Sequence, residues 1–166
     1  MVLLITIFLF LIFPLRVLGA GVIINEVAWM GTETDFRDEW IELAGDSGVD
    51  LVGWTLTIEG KKDIPLEGLI PEGGFFVFRR PDEANQSELP TDLFVSFGNG
   101  LANGGEILIL KNASGAMVEK IDASSGWPAG DNITKETMQR SGNSWITAVA
   151  TPRAPATGSV SPPPPV

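Results

Sequence analysis

The sequence predicts an all-β fold, an antiparallel β-sandwich of about seven to nine short strands. Short apolar, β-branched or aromatic runs alternate with turn residues along the 166-residue chain, a pattern typical of strands. No stretch shows helical periodicity over more than two turns. Many short strands with frequent turns favour two packed sheets. The chain has no cysteine, so the fold depends on its apolar core and not on disulfides.

Turn residues separate the predicted strands. Glycine-rich segments at residues 45–48, 71–74 and 98–100 mark three of the turns, because glycine tolerates the positive φ angles that tight turns need. Residues 112–115 predict a hairpin turn with Ser114-Gly115 at its tip. The predicted strands are residues 21–28, 39–43, 51–58, 75–78, 93–97, 106–110, 116–121 and 144–148.

The N-terminal 20 residues are typical of an export signal. Residues 2–13 are apolar except for Thr6, and Pro14 interrupts the run. Val17-Leu18-Gly19 places small or compact residues where signal peptides have them before the cleavage site, so cleavage is expected after Gly19 or Ala20. The apolar run is shorter than the roughly 20 residues that a membrane-spanning helix needs. We expect a secreted or cell-surface protein, with an uncleaved N-terminal anchor as the alternative and no further membrane span.

The remaining sequence divides into one domain and a tail. Residues 21–150 hold all the predicted strands, and a segment of about 130 residues can build its own core. Residues 151–166 contain six prolines among small residues, which is typical of an extended, disordered linker. A linker normally leads to another element, so either a partner was lost or the sequence is a fragment of a longer gene.

Composition excludes several classes of function. Eleven basic residues stand against 21 acidic ones, for a net charge of −10, which disfavours binding to nucleic acid or to anionic membranes. The chain lacks histidine as well as cysteine, and this removes histidine- or cysteine-dependent nucleophiles, zinc sites and iron–sulfur clusters. We expect no cofactor, with calcium bound by oxygen ligands as an open alternative.

An ordered series of motifs resembles the lamin-tail domain in its bacterial, exported form. The series spans roughly residues 21–153, nearly the whole mature chain. Its members are INEVAWMG (24–31), DEWIEL (38–43), DLVGWTL (50–56), IPEGGFFVF (70–78), GGEILIL (104–110), GAMVE (115–119), GWP (126–128), MQR (138–140), Trp145 and Thr151-Pro152. The resemblance implies an immunoglobulin-like β-sandwich.

The resemblance also implies a non-catalytic module. Similar bacterial domains are attached to exported nucleases, phosphoesterases or other hydrolases, or to membrane anchors, and in eukaryotes the domain lies at the tail of nuclear intermediate filaments. This sequence contains neither a hydrolase domain nor a coiled-coil rod. The filament and nuclease roles are therefore not transferred to it.

The motif DEWIEL places three carboxylates in six residues. Because side chains alternate along a strand, Asp38, Trp40 and Glu42 share one face, while Glu39, Ile41 and Leu43 share the other. Asp38 and Glu42 are then about 13 Å apart at about 3.3 Å per residue, too far to form a glycosidase pair or a metal site. We expect Ile41 and Leu43 to enter the core and the acids to lie in solvent or cap turns.

Three other features offer alternatives. Glu26, expected on the face of Ile24 and Ala28, is a candidate cation ligand. Together with Asp38, Glu39 or Glu42 it is also a candidate for a carboxylate hydrolase. A structural hydrogen bond is favoured over both.

The acidic loop at residues 32–38, with Glu33, Asp35 and Asp38, is a candidate calcium loop, although it lacks the EF-hand spacing. Trp127 is the tryptophan best placed for exposure and stacking on a ligand, but packing is favoured even there. The basic pairs Lys61-Lys62 and Arg79-Arg80 are too isolated to form a nucleic-acid patch.

The sequence therefore favours a non-catalytic exported interaction or adhesion module. Its expected partner is an extracellular protein, a polysaccharide or another cell-surface component. The first alternative is a targeting or substrate-binding domain of a larger exported hydrolase such as a nuclease, and the second is the carboxylate hydrolase. No catalytic, cofactor or metal-ligating residue is assigned.

Overall fold

A computed structural model describes residues 21–81 and 88–156. Within these ranges the chain forms two facing β-sheets and no helix, and the predicted immunoglobulin-like β-sandwich is confirmed. The predicted export signal and residues 157–166 of the predicted tail lie outside the described residues. The described part of the chain contains no helix long and apolar enough to cross a membrane.

Ten strands are present in the described ranges. In chain order they are β1 (Ile23–Ala28), β2 (Trp40–Ala44), β3 (Thr55–Ile58), β4 (Lys62–Pro65), β5 (Phe75–Arg79), β6 (Leu93–Phe94), β7 (Ile107–Lys111), β8 (Met117–Asp122), β9 (Thr137–Ser141) and β10 (Ser144–Ala148). One sheet has the order β10-β9-β1-β2-β5-β6 and the other has the order β4-β3-β7-β8. All pairs are antiparallel except β5 with β6.

The core lies between the two sheets. In the six-stranded sheet, Ile41 pairs with Phe78 and Leu43 pairs with Phe76 across β2 and β5, and all four side chains are buried. The four-stranded sheet faces them with Leu56, Ile58, Leu108 and Leu110 from β3 and β7. The expectation that Ile41 and Leu43 enter the core is confirmed.

Two strands were missing from the prediction. β4 reads as polar because Ile64 is its one buried residue and the strand lies at the edge of its sheet. β9 carries the polar residues Thr137 and Gln139, both buried. A strand whose buried positions are polar lacks the apolar alternation on which a sequence prediction depends.

The C-terminal residues of the described chain lie across the outer face of the six-stranded sheet, the face directed away from the core. We call residues 149–156 the strap. Backbone groups of the strap form hydrogen bonds with side chains of β1, β2 and β9, and Ala156 is buried. The first six residues of the segment predicted as a linker therefore pack against the domain.

Candidate functional site

The four acids singled out from the sequence, Glu26, Asp38, Glu39 and Glu42, are all buried. The expectation that the acids of DEWIEL lie in solvent is wrong. Alternation does place them on different faces, but both faces of β2 are covered. The second sheet covers one face, and the strap contacts the other. Burial of a carboxylate is costly unless hydrogen bonds or charges compensate it, so the partners of each acid define its role.

Glu26 and Glu42 lie directly opposite each other in the β1–β2 ladder. The expectation that Glu26 shares a face with Ile24 is wrong, because a β-bulge lies between them. Ile24 pairs with Leu43, whereas Glu26 pairs with Glu42. The extra residue, Asn25, shifts the register by one, and a shift of one residue moves a side chain to the opposite face.

Glu26 is enclosed by donors. Its carboxylate accepts hydrogen bonds from the hydroxyl of Thr137, the side-chain amide of Gln139, and both the backbone N–H and the hydroxyl of Thr151. Burial raises the pKa of Glu26, and these hydrogen bonds act in the opposite direction. Four donors from β9 and the strap converge on one side chain, which therefore ties the strap to the sheet.

Glu42 has fewer partners. One oxygen accepts from the side-chain amide of Asn25 at 2.8 Å and the other from the backbone N–H of Arg153 at 2.5 Å. Burial raises the pKa of Glu42 to about 7, and the neighbouring Glu26 carboxylate also raises it. Two adjacent carboxylates in a buried site favour protonation of one of them.

The Glu26–Glu42 pair has no open access to a substrate. Both residues are 0% exposed, and all four carboxylate oxygens accept hydrogen bonds from the protein. The carboxylate-hydrolase alternative requires a cleft that brings two acids to a substrate. Within residues 21–81 and 88–156, this pair is closed by the strap.

The other two acids pair with arginines on β5 or directly after it. Asp38 accepts from Arg79 at 2.9 Å in a buried ion pair, and Glu39 accepts from Arg80 at 3.0 Å. Glu39 also accepts a hydrogen bond from the backbone N–H of Leu101. Burial raises the pKa of Glu39, while the Leu101 N–H and Arg80 lower it. The Arg79-Arg80 pair is thus used inside the domain.

The candidate calcium loop directs its acids to separate partners. Asp35 binds Arg37, Asp38 binds Arg79, and Glu33 is exposed. Among the described residues no group of three acidic side chains is placed to hold a metal ion. The loop geometry therefore does not provide the converging oxygens that calcium needs.

Three loops meet at one end of the sandwich. We call residues 29–39, 95–106 and 123–136 together the loop end. The rings of Trp29 and Trp127 stack with centroids 6.1 Å apart. The indole N–H of Trp29 donates to the carbonyl of Ala129, and that of Trp127 donates to the carbonyl of Ala102. Trp127 is partly buried and joins two loops instead of standing free in solvent.

Close backbone contacts fix the loop end. A Cβ at Gly100 would lie 2.4 Å from a Glu39 carboxylate oxygen, and one at Gly130 would lie 2.5 Å from the indole nitrogen of Trp29. Both glycines also have positive φ angles, which glycine adopts without a steric penalty. These two positions allow the loops to approach side chains that a larger residue would displace.

A surface pocket of about 350 Å³ opens among the three loops. Its volume falls in the lower part of the range typical of small-molecule sites. Apolar, charged and amide groups share the lining, which includes Phe36, Glu39, Arg80, Asn99, Asn103 and Asn132. Glu39 is therefore the one acid of DEWIEL that this pocket contacts.

Two exposed apolar side chains lie in the loops that form this pocket. Phe36 is 72% exposed and Ile133 is 93% exposed, and each stands in a loop that is otherwise mostly polar. A second pocket of about 300 Å³ adjoins the first through Lys135 and is lined by Val149. The sequence prediction missed this face because residues 98–100 and 103–105 are typical of turns, and residues 130–135 belong to no predicted element. The isolated Phe36 in TETDFRD and Ile133 in GDNITK were the available signals.

Comparison with known proteins adds no family assignment. No protein-family model matches the chain, and no curated protein matches it.

Proposed function

We propose that the protein is an exported, non-catalytic interaction module that recognises an extracellular protein, a polysaccharide or another cell-surface component through the loop end. The observation that carries the proposal is the combination at this end of exposed Phe36 and Ile133 with an open pocket. Exposed apolar groups beside a preformed concave site are typical of recognition surfaces.

The rigidity of the loop end supports recognition. The Trp29–Trp127 stack and the Leu101 N–H bond to Glu39 hold the three loops together. A preorganised surface binds at a lower cost in conformational entropy than a mobile one. The motif resemblance to exported lamin-tail domains points in the same direction, as does the apolar N-terminal segment for export.

The placement of the carboxylates supports a role without catalysis. Glu26 and Glu42 lie under the strap with all their oxygens bonded, and Asp38 is paired with Arg79. Acid–base catalysis needs a carboxyl group within hydrogen-bond reach of the substrate. These three acids instead bond to elements of the fold.

A second candidate is a targeting domain within a larger exported hydrolase such as a nuclease. The proline-rich composition from residue 152 onward favours it, since such segments act as spacers between domains. The nucleotide sequence downstream of the final codon separates the two. An open reading frame into a catalytic domain supports this candidate, and a stop codon supports the free-standing module.

The proposal is tested with a glycan and cell-wall binding array, with single-stranded DNA as a control. We expect saturable binding to a surface component, strongly reduced in Phe36→Ala. The matched control is Val52→Ala, since Val52 is 61% exposed before β3 and away from the loop end. Binding that Val52→Ala reduces as much as Phe36→Ala would overturn the proposal, and no binding on the array would exclude polysaccharides and cell-wall components as the partner.

A further inference from the structure

The pocket of the loop end carries polar groups that the fold does not use. Asn99 and Asn103 are exposed at its rim, and their side chains make no hydrogen bond within residues 21–81 and 88–156. An amide side chain offers both donors and an acceptor. These two residues therefore present matched donor and acceptor positions toward whatever enters the pocket.

The charged groups of the pocket already have partners. Arg80 donates to Glu39, and Lys135 donates to the backbone carbonyl of Met30 and to the side chain of Asn132. The chain as a whole has a net charge of −10, which repels anionic ligands. The polar groups without a partner in the described ranges are thus the uncharged amides, whereas Lys135 keeps its charge because both of its partners are neutral oxygens; anionic probes test its influence.

Phe36 adds an apolar surface at the same opening. Its ring lines the pocket and is 72% exposed. The Arg37 guanidinium lies 5.5 Å from the ring centroid, a contact that restrains the ring. An aromatic ring packs well against a ligand surface that presents C–H groups.

From these features we infer that the pocket binds an uncharged sugar ring of a polysaccharide. Hydroxyl groups both donate and accept hydrogen bonds, as the free amides do, whereas a carboxylate or phosphate only accepts. The C–H face of a sugar ring matches Phe36. The volume of about 350 Å³ suits one ring better than an extended chain. The inference rests on the proposed function and specifies its ligand.

The test is an NMR titration of the chain from Gly21 onward, which contains every described strand. The probes are the methyl glycosides of glucose, galactose, mannose and N-acetylglucosamine, with galacturonate and glucose 6-phosphate as anionic counterparts. We expect at least one neutral glycoside to bind saturably with a Kd of about 1 mM, a value typical of a small ligand.

Matched variants locate the site. Phe36→Ala and Asn103→Ala should each weaken binding about fivefold, as the loss of one typical contact does. Val52→Ala and Asn143→Ala are the controls, because Val52 and Asn143 are exposed away from the loop end, and both should leave the Kd unchanged. Unchanged melting temperatures for all four variants show that the fold is retained.

Three results would overturn the inference. They are no saturable binding of any neutral glycoside, tighter binding of an anionic probe, and binding that neither Phe36→Ala nor Asn103→Ala weakens. The first result does not decide the proposed function. If an array component still binds through Phe36, the module remains and its ligand is not a neutral sugar. If the array also shows no binding, polysaccharides and cell-wall components are excluded as partners in the proposed function as well.

Discussion

Glu39 and Glu42 lie three residues apart in one short motif, yet their surroundings differ. Glu42 faces Glu26 under the strap, and its oxygens accept from Asn25 and from the backbone of Arg153. Glu39 is paired with Arg80 and lines an open pocket. Their odd separation is the cause, because side chains an odd number of residues apart in an extended segment lie on opposite faces, and Glu39 directly precedes β2 while Glu42 lies within it.

The buried carboxylates serve the fold, whereas we propose that the loop end recognises a ligand. Under the strap, donors of the protein satisfy the buried acids, so those groups stabilise the fold. At the loop end, an exposed ring and two amides that have no partner within residues 21–81 and 88–156 remain available. A raised carboxyl pKa often marks a functional site. In this protein the acid with the pKa near 7 lies in the closed region, and the open pocket lies elsewhere.

Both regions contain a residue with positive φ that is not glycine. Arg153 in the strap has φ 63°, and Lys135 at the loop end has φ 60°. This conformation costs about 1–2 kcal/mol for an ordinary residue. The backbone N–H of Arg153 bonds to Glu42, and the side chain of Lys135 bonds to Met30 and Asn132. In each case these contacts offset the strain.

Removal of the strap should have the largest effect on stability. A chain ending at residue 150 loses the backbone donors of Thr151 and Arg153 to two buried carboxylates. Hydrogen bonds to charged groups contribute about 1.5–3 kcal/mol each, so the free energy of unfolding should fall by about 3–6 kcal/mol in urea titrations. A chain ending at residue 156 is the control and should match the parent. Equal stability of the two truncations would show that the strap does not hold the sheet.

Glu26→Ala should have the next largest effect. The substitution leaves donors of Thr137, Gln139 and Thr151 without their acceptor. An unsatisfied buried polar group costs about 1–3 kcal/mol, and because such costs are not additive we expect a loss of about 2–4 kcal/mol. The control is Glu33→Ala at an exposed position. A loss no greater than that of the control would contradict the structural role of Glu26.

The pH dependence of stability tests the burial of Glu42. The pKa of Glu42 is raised from 4.5 to about 7 in the folded protein. Its contribution is therefore fully present below pH 4.5 and is lost as the pH rises through about 7. The free energy of unfolding should fall by up to about 1.4 kcal/mol per pH unit in this window. The raised pKa values of Glu26 and Glu39 act in the same direction.

Glu42→Gln should flatten this pH dependence. The amide cannot ionise, but its NH2 group replaces one of the two oxygens that accept from Asn25 and Arg153, so the variant should be less stable than the parent at low pH and lose less stability than the parent as the pH rises through 7. Glu33→Gln serves as the control. Identical pH profiles for Glu42→Gln and the parent in denaturant titrations would place the titrating group elsewhere.

The sequence was sufficient for the fold class because the core strands alternate clearly, as in residues 39–43 and 106–110. It was not sufficient for the surroundings of the acids. The bulge at Asn25 moves Glu26 to the other face, and no residue pattern marks it. The strap was missed because TPRAPA has the composition of a linker. The strap contacts the sheet mainly through backbone N–H groups, and because every residue except proline has one, the sequence does not indicate these bonds.

The sequence also did not indicate the loop end, because its residues are typical of ordinary turns. Asn99, Asn103 and the glycines beside them are typical turn residues, so the sequence accounts for them locally. Their convergence with Phe36 and Arg80 depends on long-range packing of the two sheets. Exposed apolar residues inside polar loops were the one local feature pointing to this face.

The most direct test compares Phe36→Ala with Glu42→Gln in one binding array and in thermal melts at several pH values. Phe36→Ala should strongly reduce binding and leave the melting temperature unchanged, since surface substitutions usually change stability by less than about 0.5 kcal/mol. Glu42→Gln should keep binding and change only the stability and its pH dependence. Loss of binding in folded Glu42→Gln, or full binding by Phe36→Ala, would contradict the assignment of recognition to the loop end.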